Sequence, residues 1–395
     1  MTTDSAIASA QSAELASEDA EKALVESLED GLAGSSADLL VVFATHHHGA
    51  RLNGLTDRLA ERFGAAAAIG CTGETVIGPS REAEGLPGLA AFAARLPGAT
   101  VREFTVEPTR DAVGEADVAM ELPVDSVDRS SAIVLGEPFS LPIEPFLETV
   151  ERRWSGVPFV GGLASGGTGP GQNLLLTREG IRFDGAVGIA IEGDWAVEPV
   201  VSQGCRPVGE PWVITECEGN VIESLGGRPA LAALVEGIED LSESDRQLVQ
   251  RAPFFGIAVD PCKSTFERGD FLVRGLLGVD QETNSIAIAD YVRRGQTVQL
   301  LVRDAESAGE DLGRLLDDHV RRHEHKPEGA LLFTCNGRGS RMFGERDHDL
   351  RLLKRHLGSD LAVAGFFANG ELGPIAGRNF LHGFTASIGL LTRRS

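Results

Sequence analysis

Apolar residues in this chain come in short continuous runs, and most runs are followed by a stretch of helical period. Leu39-Leu-Val-Val-Phe43 reads as a strand buried on both faces, and Leu52, Leu55, Leu59 and Phe63 put one apolar stripe on the helix after it. Ala65 to Gly70 predicts a second strand that breaks at Cys71-Thr72-Gly73-Glu74, and Gly88 to Phe92 starts a third. The same grammar returns with strand Ser131 to Leu135, a helix face of Ile143, Phe146, Leu147, Val150 and Trp154, strand Val157 to Val160, a break from Gly161 to Gly167, and strand Gly185 to Ile191. It returns again with strand Gly329 to Thr334, a helix carrying Leu350, Leu353 and Leu357, strand Leu361 to Ala364, a break from Gly365 to Glu371, and strand Phe384 to Leu390. The pattern predicts an α/β fold of repeated β-α-β-β units, with layered mixed sheets flanked by helices.

Between the second and third copies the rhythm differs. Phe255 to Val259, Phe271 to Val279, Ser285 to Ala289 and Val298 to Val302 are short apolar strands separated by Asp, Gly, Asn and Arg turns, which predicts an antiparallel meander in the C-terminal half. Leu312, Leu315, Leu316 and Val320 then mark a helix. The change begins near Cys217, so the expected domains are residues 38–217 and 218–395. Residues 1–37, rich in Ala, Ser, Glu and Asp, predict a helix from about Ser12 to Leu32 stopped by Gly34, either docked or a loose tail.

Candidate chemistry gathers where the strands of the third copy end. Cys335-Asn336-Gly337-Arg338-Gly339 and Gly365-Phe-Phe-Ala-Asn369-Gly370-Glu371 are two glycine-flanked tips joined by a helix-length connection, which places both at one sheet edge. Arg338 offers a planar fork for a carboxylate and Glu371 a partner for an amine, so together they suit a zwitterion; the competing reading is that the two pair with each other and hold the edge. Asn336, Gly365 and Asn369 fall in the same tips. If the copies pack about a pseudo-symmetry axis, Cys71, Thr72, Glu74 and Ser165 line the same cavity; otherwise they are turn residues. Cys335 is either a pocket wall or a nucleophile, and a nucleophile would need a base that the motif does not contain.

Other motifs carry less. His46-His47-His48 points in alternating directions without a nearby cysteine or carboxylate to complete a metal set, and His319 with His323 fares no better. The glycine runs at 161–162 and 166–169 lack the Gly-Lys-Ser/Thr ending of a phosphate loop. No metal and no cofactor are expected.

Composition narrows the classes. The 395 residues suffice for two domains, and a net charge of -23 from 59 acidic against 36 basic side chains disfavours nucleic acid and anionic membrane as partners. No apolar run is long enough for a membrane span and the first residues lack a signal-peptide pattern, so a cytoplasmic location is expected. The five cysteines are scattered without a C-x-x-C pair, which predicts reduced thiols.

These residues resemble the FIST domain proteins, named for F-box and intracellular signal transduction. In the C-terminal half the resemblance rests on Phe333-Thr-Cys335-Asn-Gly-Arg338-Gly339, the Glu345 to Leu357 helix, Gly365-Phe-Phe-Ala-Asn369-Gly-Glu371 and Arg274-Gly-Leu-Leu-Gly-Val-Asp280. In the N-terminal half it rests on Leu39 to Phe43, Ile69-Gly70-Cys71-Thr-Gly73-Glu74 and Phe159-Val-Gly-Gly162. The resemblance implies a sensory module for small ligands such as amino acids, with no known catalysis and with a signalling protein as partner. A eukaryotic relative joins such domains to an F-box, for which the first 37 residues here are too few and too polar. An enzyme using Cys335 and a protein-interaction scaffold are the rival classes.

Overall fold

The reason the apolar runs are continuous becomes plain in the computed structural model, which describes residues 5–263 and 265–394. Strands Leu39–Ala44, Ser130–Gly136 and Gly329–Cys335 are each the middle strand of their copy, and nearly every residue in them is buried. Alternate side chains go to opposite cores. Leu39, Val41 and Phe43, Ile133 and Leu135, and Leu331 and Phe333 share one inner core. Phe43, Phe333 and Phe366 meet there, with ring centroids 5.3 to 6.2 Å apart. The intervening positions face outward under helices: Leu40 and Val42 with Leu24, Leu28 and Leu59, Val134 with Phe146 and Val150, Leu332 with Leu312, Leu350 and Leu353.

Each copy has the same strand order. The middle strand runs parallel to the strand after its helix, Ala67–Thr72, Phe159–Leu163 or Ala362–Ala368, and antiparallel to the last one, Leu89–Arg95, Ala186–Gly193 or Thr385–Arg393. Outside the last strand lies a leading strand, Ala6–Ser12, Ala99–Arg110 or Trp195–Gln203. Outside the parallel strand lies a short piece given by another copy. Val76–Ile77 of the first copy joins the third sheet, Leu175–Thr177 of the second joins the first, and Glu371–Ile375 of the third joins the second. The exchange is cyclic. The repeat read from the sequence is therefore present three times, nearly all of it in the compact unit of residues 1–201, 312–381 and 385–395.

Two expectations change. The parallel strands do not break at their glycines: they run on through Gly70, Gly161 and Gly365 and end at Thr72, Leu163 and Ala368. In each copy that glycine stands opposite a middle-strand residue, Val42, Val134 or Leu332, whose carbonyl oxygen a Cβ would strike. The glycines are therefore sites of close approach between parallel strands, and the exit lies farther on. Residues 1–37 hold the docked helix Ser17–Leu32, with Leu24, Leu28 and Leu32 buried, but also the strand Ala6–Ser12, which pairs with Leu89–Arg95.

The second compact unit, residues 202–311 and 382–384, is antiparallel throughout. Phe254–Ala258, Phe271–Asp280 and Ser285–Ile288 follow one another as the meander predicts. The fourth strand, Thr297–Arg303, returns to pair with the first rather than the third. The long strand Cys205–Glu218 bonds Thr297–Arg303 with its first half and Val221–Leu225 with its second, and bulges between them let it turn. Since Val221–Leu225 also pairs with Ser285–Ile288, the sheet closes into a ring, and helices Ala230–Glu239 and Glu243–Arg251 pack on its apolar residues. The boundary expected at 217 falls inside the long strand.

Candidate ligand-binding site

The middle and parallel strands of the third copy end level, with Cys335 opposite Ala368. The chain then turns: Asn336 donates its N–H to the Ala368 carbonyl at 3.0 Å and Arg338 donates to the Cys335 carbonyl at 2.8 Å. This turn folds Arg338 inward until its side chain is 0% exposed. A buried guanidinium requires a counter-charge. Asp349, in the first turn of helix His348–Leu357, supplies it by accepting from Nε at 2.7 Å and Nη2 at 2.8 Å. Asp349 also accepts from the Thr334 hydroxyl at 2.7 Å and meets His348 Nδ1 at 3.2 Å. Burial alone would raise its pKa, but Arg338 and these donors hold it well below the usual carboxylate range. Neither alternative for Arg338 read from the sequence included this pair: one edge of the fork is filled by Asp349, and Glu371 is not its ion-pair partner.

Glu371 opens its strand fully buried. Its Oε2 accepts the Thr385 N–H at 3.2 Å, while Oε1 has no hydrogen-bond partner. Burial pushes its pKa well above the usual carboxylate range, against the pull of Thr385, Arg338 and the Cys335 thiol. Burial thus disfavours the charged carboxylate that an amine would need as a counter-ion. Arg338 Nη1 and Asn336 Oδ1 are likewise buried without a partner. One guanidinium nitrogen, one amide oxygen and one carboxyl oxygen are therefore left unpaired on the turn and the strand beside it.

The remaining predicted residues lie around this turn in other roles. Ser165 accepts the Glu74 N–H at 2.9 Å, donates its hydroxyl to the Phe367 carbonyl, and bonds the Thr72 carbonyl through its own N–H at 3.0 Å. Asn369 donates its N–H to the Leu163 carbonyl at 2.9 Å, and its side chain is exposed. The three strand exits are thus joined by backbone bonds. Thr72 spends its hydroxyl on the Leu174 N–H at 2.9 Å. Cys71 is a core thiol, pushed up by burial, and Gly365 lies inside its strand facing Leu332. Glu74 is exposed and forms an ion pair with Arg341, whose Nη1 also donates to the Asn336 carbonyl at 2.9 Å. Asn336, Arg338 and Glu371, with Cys335 between them, remain the chemical centre.

Sequence reasoning missed Asp349, Arg341 and an acidic loop from the first copy. Glu82, 2% exposed, accepts the N–H groups of Asp347 and Leu350 at 3.1 Å each, while Asp347 accepts the Glu82 N–H at 2.6 Å. The carboxyl thereby caps the helix that carries Asp349. Burial foremost, and then the charge of Asp349, raises its pKa to about 8. The available signal was a capping one: an acid in the first turn after a glycine-rich loop. Among the described residues no group of three or more His, Cys, Asp and Glu is placed to hold a metal, and no helix is long and apolar enough to cross a membrane.

The FIST N domain matches residues 38–228 and the FIST C domain residues 230–374. The chain belongs to the FIST family. Relatives include the uncharacterized protein Mb0898c of Mycobacterium bovis, 38% identical over 375 residues that cover 94% of this chain and 96% of the relative. Another is the uncharacterized protein Rv0628c of Mycobacterium tuberculosis, 38% identical over 359 residues, 91% of this chain and 92% of the relative. FIST domains are associated with sensory signal transduction. The FIST N match holds the first two copies apart from the leading strand Ala6–Ser12, and the FIST C match holds the turn at 335–339, Asp349 and Glu371. The capping loop around Glu82 thus reaches from FIST N to a FIST C helix.

Proposed function

We propose that this FIST protein is a cytoplasmic sensor that binds a small polar metabolite, an amino acid or similar compound, at the turn of the third copy and passes the event to a signalling protein. The observation that carries the reading is the set of unpartnered buried atoms, Arg338 Nη1, Glu371 Oε1 and Asn336 Oδ1. A buried polar group left unpaired costs about 1–3 kcal/mol, so a ligand offering one acceptor and one or two donors gains that energy on binding. Arg338, already charged and oriented by Asp349, presents its free nitrogen without further ordering. The free thiols of all five cysteines fit a reducing compartment. A thermal-shift screen of amino acids and organic acids on the full chain tests the proposal. A ligand at about 100 times its dissociation constant adds ~2.7 kcal/mol. Asn336→Ala, at a half-buried position outside the ion pair, should weaken that ligand about tenfold while leaving the unliganded midpoint nearly unchanged. A screen without a saturable shift, or a ligand indifferent to both Asn336→Ala and Glu371→Gln, overturns it.

The contact of the Cys335 thiol with the Glu371 carboxyl supports a second reading, in which Cys335 is a nucleophile. Alkylation of Cys335 by iodoacetamide as fast at pH 6 as at pH 8.5 would favour that enzyme.

A further inference from the structure

Away from this turn, a cavity of about 510 Å³ opens where the last strand of the third copy, its leading strand and the end of helix Ala305–Arg322 meet. Its size lies within the range of small-molecule sites. Its lining is unusual for a chain of net charge -23: four guanidinium groups, from Arg129, Arg322, Arg393 and Arg394, stand against two carboxylates, from Glu198 and Glu324. Two of the four are tied down, Arg129 to Asp194 at 2.9 Å and Arg393 to Glu328 at 3.9 Å. Arg322, exposed in the last turn of its helix, influences Asp318 but forms no ion pair among the described residues. Arg394 is held by its backbone N–H to the Asp194 carbonyl at 2.8 Å and by Nε to the Trp195 carbonyl at 3.3 Å, which leaves its two terminal nitrogens without a carboxylate. Burial, and the nearby charge of Arg129, disfavour its cationic form, with Glu198 pulling the other way.

We propose that this cavity binds a small oxyanion of charge −2 or more, a phosphate ester or a polycarboxylate. Two guanidinium groups without a carboxylate partner converge with two others on one concavity, and bidentate guanidinium contacts are the arrangement that selects such groups over chloride. Opposing terms exist. The helix end contributes partial negative charge, but the His319 carbonyl there already accepts from the His323 N–H at 3.1 Å and faces His323 Nδ1 at 2.9 Å. Glu198 lies 3.8 Å from His323 Nε2, so its charge is partly directed away from the arginines. The acidic remainder of the surface slows the approach of an anion, so binding should tighten as salt rises from low to moderate values before screening weakens it.

Isothermal titration of the full chain with sodium pyrophosphate and, separately, sodium citrate, each against sodium chloride at matched ionic strength, tests the site. Saturable binding near one equivalent is expected, weakened at least tenfold by Arg394→Gln and by Arg322→Gln, whereas Glu324→Gln should leave it unchanged or tighter. Tighter binding of pyrophosphate assigns the phosphate ester, and tighter binding of citrate the polycarboxylate. Arg322 is exposed, so its variant keeps the test valid if Arg394→Gln misfolds. Heats that follow ionic strength alone, or that persist undiminished in Arg322→Gln, overturn the proposal; neither result bears on the turn at Arg338.

Discussion

The first and third copies share a strand order, an in-strand glycine and a crossover helix, yet they treat charge at their exits in opposite ways. The first copy ends in Glu74, whose pair with Arg341 leaves the two side chains 42% and 58% exposed. The third ends in Arg338, Asp349 and Glu371, all essentially without solvent. One scaffold therefore carries an edge that water can relax and another in which each charge must be matched by the protein.

The largest expected effect comes from Asp349→Ala, which strands Arg338 in the core and should cost about 3–5 kcal/mol in urea unfolding. An effect below ~1 kcal/mol would mean that the buried pair is no different from the exposed one. Gly365→Ala should come next, at about 1–3 kcal/mol, because its Cβ would meet the Leu332 carbonyl. Gly161→Ala should behave alike, whereas Gly275→Ala, with open space around its Cβ, should cost less than ~1 kcal/mol. Equal costs at all three sites would undo the close approach to a carbonyl as the reason for Gly161 and Gly365, and unequal costs at those two would undo the equivalence of the copies.

A subtler test uses pH. The Glu82 carboxyl is raised from an ordinary 4.5 to about 8 in the folded chain, so between those values the folded state keeps a proton that the unfolded chain has released. Its contribution to stability is complete below pH 4.5 and is lost as pH rises through 8. Glu82→Gln should flatten the decline of unfolding free energy between pH 5 and 8, by at most about 1.4 kcal/mol per pH unit. The raised pKa of Glu371 acts in the same sense, so some slope should persist until Glu371→Gln is added. The smallest change belongs to Glu74→Ala, under about 1 kcal/mol and smaller still in high salt. A loss comparable to that of Asp349→Ala would erase the contrast between the two exits.

Most strands and helices could be read from the apolar runs because burial on both faces leaves a strong, uninterrupted signal. What misled was glycine. Gly70, Gly161 and Gly365 look like punctuation in one dimension, whereas their reason is a carbonyl on the neighbouring strand. Ala6–Ser12 has Ile7 as its one bulky apolar residue, and Val76–Ile77 is too short to show a period, so neither stood out. At the site, Arg338 and Glu371 could be singled out as charged residues beside buried strands. Asp349 could not, since it lies eleven residues beyond Arg338 in a first helical turn, where acids are common for reasons of helix polarity alone.

The cyclic exchange of short strands also governs how the polypeptide can be made. Ile77 finds its partner Gly365 only ~290 residues later, so contact order is high and folding is expected to be slow. On the ribosome, the exposed edge of Phe159–Leu163 must wait for Glu371–Ile375, roughly ten seconds or more at about 5–20 residues per second. During that interval the nascent first half carries an unpaired strand edge. Co-translational chaperone binding at residues 159–163, released once residue 375 has emerged, is the kinetic signature such a closed ring of loans should leave.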